Sequence, residues 1–317
     1  MTQSEADFVA RRYRVRHTTR YAYDEDVVGC YERGFLSLRP TPHQRVAALE
    51  VVVSPEPDVT STHWDFFGNE SYYVEVRTRH TTFEATMIAD VDVDWAPVDV
   101  AALDGWTVAE AVAAIRAQDA DPVAETAFRL PSTLVDLGPE VDDFARTILA
   151  PERPFGQALV ALYATIHRDF TYAKGATSVR TTLPEILALR AGVCQDFAHL
   201  AIGALRSVGL PGRYVSGYLE TAPPPGKEKL AGSDATHAWA SVRVPGGGWV
   251  DLDPTNDHFA DSRYIVTAWG RDFRDVSPLK GVIFTEAKKS SMTVAVDVTR
   301  LAPESATPAR RAGPDNP

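Results

Sequence analysis

"RAGVCQDFAHL", residues 190–200, places a cysteine directly ahead of an apolar run with helical spacing. From Cys194 onward, Phe197, Leu200, Ala201, Ala204, Leu205 and Val208 fall on one helix face, which Gly209 stops and Pro211 keeps from resuming. Gly192, just before it, allows a sharp backbone approach. Cys194 thus stands at or next to a helix N-terminus, where unpaired N–H groups and the positive dipole end stabilise a thiolate. The same N–H groups can bind the oxyanion of acyl transfer. A cysteine in that position can equally be a small packed hydrophobe. Its neighbours must decide.

Upstream, "FGQALVALYATIHRDFTY" (155–172) repeats Leu159, Leu162, Tyr163 and Ile166 as an amphipathic helix, and "TTLPEIL" starts another with Thr182 and Glu185 as a capping box and Pro184 in its first turn. Downstream the period changes to two: "GRYVSGYLET", "HAWASVRV", the turn "PGGG", then "WVDLDP". Helices followed by antiparallel strands predict an α+β second domain over 151–300, closed by one more strand, "SMTVAVDVTRL", with Met292, Val294, Val296 and Val298 on one side. Residues 13–95 are short alternating segments broken by Pro, Gly and Asn, which predicts a β-sandwich-like N-terminal domain after a tail of residues 1–12. There Asp90, Asp92 and Asp94 share a strand face, a solvated face rather than a calcium loop. Residues 96–150 read as a connecting helical segment and 301–317 as a disordered tail.

The chain has 317 residues, 44% hydrophobic and 24% charged, which suits about two soluble domains. No segment approaches the roughly 18 uninterrupted apolar residues of a membrane span, and the N-terminus has no apolar signal core, so a cytoplasmic, non-membrane protein is expected. Two cysteines, Cys30 and Cys194, form neither a disulfide framework nor a zinc spacing. Cys30 has no assigned partner and reads as a packed thiol. A net charge of −11 without a long basic run excludes a nucleic-acid surface. Metal and cofactor motifs are absent too, since "PGGGW" fits a hairpin turn better than a phosphate loop.

A thiolate nucleophile needs a histidine, and the histidine a group that fixes its tautomer. His199 lies five residues past Cys194 on the same helix and points away, toward solvent or an adjoining loop. His17, His43, His63 and His80 fall in the N-terminal domain, and His167 in a helix whose apolar face is already assigned. His237 begins a strand joined through Gly246, Gly247 and Gly248 to the strand of Asp251 and Asp253. Counted back from that turn, His237 comes near Asp253, directly opposite at about 5 Å or diagonal at about 7 to 8 Å. Asp251 shares the face; Asp253 is closer to the expected register and is stiffened by Pro254.

Cysteine at a helix start, then histidine and aspartate on consecutive strands, is the order of the transglutaminase-like superfamily. "RAGVCQDFAHL", "SDATHAWASV" and "GWVDLDPTN" resemble its three core motifs, over roughly residues 155–275, and the N-terminal β domain resembles the one preceding this core in bacterial members. The resemblance implies an α+β, papain-like core with Cys194 as nucleophile, His237 as general base and acid, and Asp253 as orienting residue. It also implies a peptide or protein substrate and, through the bacterial subgroup, an ATP-grasp-type ligase as partner. Gln195 and Tyr172 are both open as side-chain oxyanion donors, and Trp239, on the face of His237, shields the imidazole or is ordinary core. The expected reaction is amide acyl transfer through a thioester. Hydrolysis ranks first because no calcium loop is legible. The alternatives are transfer to a primary amine and an inactive peptide-binding scaffold.

Overall fold

The computed structural model describes residues 3–118, 122–221 and 236–302. Alternating burial carries the first strand, β1 (Arg11–Gly34, 24 residues), from Tyr13 to Arg20, lapses over residues 21–26 and leaves Val27 and Cys30 buried beyond; β2 (Gln44–Ser54), β3 (Val59–Trp64), β4 (Glu70–Val76) and β5 (His80–Val93) follow. Helices α1 (Val100–Leu103), α2 (Val108–Ala117), α3 (Pro122–Ala127), α4 (Pro139–Ile148) and α5 (Phe155–Asp169) come next. Then follow β6 (Thr171–Tyr172), α6 (Leu183–Leu189), β7 (Ala191–Gly192) and α7 (Cys194–Ser207). The remaining strands are β8 (Gly212–Leu219), β9 (Thr236–Arg243), β10 (Trp249–Asp253), β11 (His258–Phe259), β12 (Tyr264–Gly270), β13 (Leu279–Thr285) and β14 (Ser290–Leu301).

A strand as long as β1 cannot stay flat, and its register slips between Ala22 and Gly29. Ahead of that bend it pairs with β5 and β14; beyond it, with β4 and β13. With β2 beyond β5 and β3 beyond β4, two half-sheets share one bent strand and enclose one apolar core, the β-sandwich-like arrangement expected. On its outer face Arg14 forks Asp90 through two 2.8 Å bonds, and Asp92 takes Arg12 and Arg45. The aspartates there answer arginines, and no metal-holding cluster exists among the described residues.

Four expected boundaries are corrected. β13 and β14 belong to the N-terminal sheet, not to a second domain running to 300, because β1 offers them an open edge; Val296 and Val298 are buried there while Met292 and Val294 remain exposed. Residues 96–150 are no mere connection: Val108, Ala111 and Ile115 of α2, with Val141, Ala145 and Ile148 of α4, repeat at helical spacing and enter the core around α7. The N-terminal tail is pinned, since Gln3 donates to the Phe259 carbonyl at 2.8 Å and the Asp7 carbonyl accepts from Ser262 at 3.0 Å. Leu301, placed in the C-terminal tail, ends β14, and residues 303–317 lie outside the described residues.

In the second domain α7 packs between α4, α5 and α6 and a five-stranded antiparallel sheet ordered β11-β10-β9-β8-β12. The sheet's other face carries Val215, Tyr218, Trp239 and Tyr264 into the core of the N-terminal domain. β12 is an edge strand, and an edge leaves N–H and C=O groups unpaired. Two amides of the N-terminal domain close it. Gln44 accepts from the Val266 N–H and donates to its carbonyl, both at 2.8 Å, and Asn69 does the same for Trp269 at 3.0 and 2.8 Å. Gln44→Ala leaves the buried Val266 N–H without a partner, so urea unfolding should show stability lower by about 1–3 kcal/mol at unchanged slope; an unmoved midpoint would show that the edge is not held this way.

Candidate active site

The site is assembled at the start of α7. β6 and β7 form a two-residue parallel ladder that delivers the chain to Val193, an extended N-cap with no polar side chain. Asp196 supplies the missing cap from inside the helix: its Oδ2 accepts from the Val193 N–H at 2.8 Å and from Thr177 Oγ1 at 2.6 Å. A Cβ on Gly192 would stand 2.7 Å from that oxygen, so only glycine leaves room for the carboxylate. Burial raises the Asp196 pKa, opposed by these two hydrogen bonds. Cys194 follows as the first helical residue, its side chain only partly buried.

The hairpin β9–β10 brings the other two groups together. Its register pairs Asp251 with Ser241 and Leu252 with Ala240, so Asp253 reaches His237 diagonally, and Asp251 reaches Trp239 by the same step one dyad earlier. Both contacts form: His237 Nε2 lies 2.6 Å from Asp253 Oδ2, and Trp239 Nε1 donates to Asp251 Oδ2 at 2.8 Å. Asp253 is the carboxylate that meets the histidine; Asp251 holds the neighbouring indole. The ring centroids of Trp239 and His237 are 6.0 Å apart, and Trp239 is fully buried, so its indole walls the imidazole and fills the core at once. Gly217 sits opposite His237, where a Cβ would fall 2.0 Å from the Ile265 carbonyl oxygen and 2.7 Å from the indole.

Asp253 is fully buried and heavily hydrogen-bonded. Besides His237, Tyr264 Oη donates to its Oδ2 at 2.6 Å and Asn256 Nδ2 at 2.7 Å, while the Thr255 N–H donates to Oδ1 at 2.8 Å. The turn is braced by His167, whose Nδ1 lies 2.9 Å from the Thr255 carbonyl. Asp196, Thr177, Asn256 and Tyr264 are not among the expected site residues. Asn256 carried a local signal, as the third residue after an aspartate in a turn. Tyr264 carried none, arriving from another strand.

The remaining expected residues fall as follows. Tyr172, 49% exposed, sits beside Cys194 in an edge-on contact with Phe197. Burial, with Cys194 and Asp196 nearby, raises its phenol pKa, so it keeps its proton as a donor. Gln195, in the first turn of α7, is partly buried. His199 is buried, not solvent-facing: its Nε2 accepts from the Phe273 N–H in an adjoining loop at 3.1 Å, and burial lowers its pKa to about 3. Cys30 is packed, as expected, with burial and Glu32 pushing its thiol up to about 12.

Burial disfavours the charged form of His237, but the Asp253 carboxylate outweighs it, and hydrogen bonds to Asp253 and Cys194 help raise the pKa to about 10. With Nε2 held by Asp253, Nδ1 is the ring nitrogen left for the thiol. Burial likewise opposes ionisation of Asp253, and the histidine charge with the donated hydrogen bonds brings its pKa well below the carboxylate range. Since the folded histidine pKa lies above the unfolded one of about 6.5, the stability it contributes is full below that pH and fades as pH rises toward 10. In Asp253→Asn the carboxylate's charge is gone while burial still opposes, and Cys194 still favours, the charged ring, so His237 should titrate well below about 10. NMR of the ring Cε1–H, assigned with His237→Gln, should place the midpoint there and the wild-type midpoint near 10; equal midpoints would refute the carboxylate's role.

Residues 142–254 match the transglutaminase-like superfamily core, and residues 13–92 match the bacterial transglutaminase-like N-terminal region. An uncharacterized Mycobacterium tuberculosis protein is 42% identical over 295 residues, covering 90% of this chain and 92% of its own length. One from Mycobacterium leprae is 32% identical over 294 residues, covering 92% and 99%. A crystal structure of a candidate cysteine protease from Cytophaga hutchinsonii has the same fold, with a TM-score of 0.74 at 20% identity over 93% of this chain and 92% of that one. With its N-terminal β-rich region and its helix-borne Cys194, this chain belongs to the transglutaminase-like superfamily.

Proposed function

We propose that this protein is a thiol acyl-transfer enzyme that cleaves peptide-like amide bonds through Cys194, His237 and Asp253. The observation that carries the reading is the 2.6 Å contact of His237 Nε2 with buried Asp253, which turns the other ring nitrogen to a cysteine at a helix start. A protonated imidazole beside the sulfur favours the thiolate, the attacking species. Sulfur adds to the carbonyl carbon, and the developing oxyanion is met by the Cys194 backbone N–H, with Tyr172 or Gln195 as side-chain donor. The C–N bond then breaks as Nδ1–H protonates the leaving amine, which leaves a thioester on Cys194. His237, now neutral, takes a proton from water as water attacks, and the acid product leaves. A reducing compartment preserves such a thiol, and a cytoplasmic location is part of this proposal.

One observation favours a second reading, in which a primary amine takes the place of water. The Pseudomonas aeruginosa protein-glutamine gamma-glutamyltransferase is 36% identical over 107 residues, 31% of this chain and 16% of that protein. The two readings share the thioester and differ only in what resolves it.

Mass spectrometry of a glutamine-containing casein digest, incubated with and without dansylcadaverine, separates them. Hydrolysis gives cleaved or deamidated peptides whether or not the amine is present; transfer gives dansyl adducts. Cys194→Ala should lower either product by about a thousandfold or more, and Cys30→Ser should leave it unchanged. Iodoacetamide alkylation of Cys194 at pH well below the ordinary thiol pKa of about 8.5, lost in His237→Ala, should accompany activity. No product, with Cys194 alkylated as an ordinary thiol, would sink both enzymatic readings and leave the scaffold.

A further inference from the structure

A groove runs between the two domains, with none of Cys194, His237 and Asp253 in its walls. It consists of two cavities, of about 860 and 600 Å³, which share Arg274 and Lys280 in their walls. At one end, Arg33 of β1 and the β3–β4 turn with Phe66 and Phe67 face Leu130 and Arg271. At the other end stand Val179 and Arg180, in the loop that also holds Thr177.

Charge distinguishes this groove from the rest of the molecule. The chain carries −11 overall, yet Arg33, Arg180, Arg271, Arg274 and Lys280 line it. The two carboxylates in its walls are engaged. Asp65 accepts from the N–H groups of Phe67 and Asn69 at 2.9 and 2.8 Å, and Asp275 is forked by Arg271 at 2.9 and 3.0 Å. Lys280 Nζ donates to the Arg274 carbonyl, and no carboxylate among the described residues pairs with Arg33, Arg180, Arg274 or Lys280. Between these cations lie exposed apolar side chains: Phe66 at 62%, Leu130 at 55% and Val179 at 56%. Exposed cations interleaved with exposed hydrophobes, in an open cleft at a domain boundary, ask for a ligand that is anionic and apolar in turn.

We propose that this groove binds an acidic polypeptide segment carrying bulky apolar side chains. A nucleic acid fits less well, because the only rings for a base to stack on are Phe66 and Phe67 at one end, Leu130 and Val179 offering none, and the acidic remainder of the surface repels a long phosphate backbone. The segment binds to the groove cations by charge and seats its apolar side chains on Phe66, Leu130 and Val179. The inference stands apart from the chemistry of Cys194.

Fluorescence anisotropy on the full chain carrying Cys194→Ala, which excludes turnover, tests it with a labelled peptide of three Ser-Glu-Glu-Leu repeats. Binding is expected. It should weaken by about tenfold or more in Arg274→Glu/Lys280→Glu, in half-molar salt, and when Ser replaces each Leu of the peptide. Phe66→Ala, on the surface, should weaken it severalfold and serves as the second variant if the double substitution lowers the unfolding midpoint. A Ser-Lys-Lys-Leu peptide should not bind. The proposal is overturned if the acidic peptide fails to bind, if neither variant weakens binding, or if the leucine-free peptide or a twelve-nucleotide oligo-dT binds as tightly, which marks a general polyanion surface.

Discussion

A fully buried carboxylate is the constraint on which this structure rests. Removing Asp253 from water costs several kcal/mol unless the charge is met by a cation and its lone pairs are filled. His237 meets the charge, and Tyr264, Asn256 and the Thr255 N–H fill the lone pairs. Each donor must be held in place by something else. Tyr264 lies on edge strand β12, and its carbonyl accepts from Trp95 Nε1 at 3.1 Å, at the point where the chain leaves the N-terminal sheet. Gln44 and Asn69 then close the rest of that edge. The N-terminal domain is therefore part of the apparatus that keeps an ionised Asp253 buried, and its core is continuous with the tryptophan–tyrosine layer behind the imidazole.

The two cysteines show how far environment governs one side chain. Cys30 is sealed in the N-terminal core beside Glu32, a carboxylate that burial itself raises to about 7, so nothing favours a thiolate there. Cys194 begins a helix, keeps partial contact with solvent and faces a protonated imidazole. Helix termini, imidazolium and access are the factors that make a thiol reactive, and all three occur at one of the two positions.

Much of this was legible in the sequence because it is local. The start and stop of α7, the Thr182–Glu185 capping box and the β9–β10 hairpin with its glycine turn depend on residues a few positions apart. What was not legible depends on pairing between distant segments. Alternation in residues 291–301 predicts a strand but does not name its sheet, and only the open edge of β1 assigns it to the N-terminal half. The short stripe of α4 reads as a connection until α7 offers it a surface. Tyr264 and Gln44 act through partners 11 and 222 residues away, beyond any motif.

Asp251 and Asp253 show where local reading reaches its limit, and how the fold resolves it. Both point to one face, and alternation cannot choose between them. The choice is made at the turn, where Gly246 and Gly247 adopt φ of +92° and +97°, values that side chains beyond glycine rarely accept, and Val244 closes the hairpin on Gly248 at 3.0 Å. That closure fixes the pairing for the whole hairpin. A slip of one residue would carry both aspartates to the opposite face, and a slip of two would set Asp251 or nothing against His237. The geometry at the imidazole is thus decided by glycines well away from it. The same register that gives His237 its carboxylate gives Trp239 the other, so imidazole and wall are positioned by one turn and must move together.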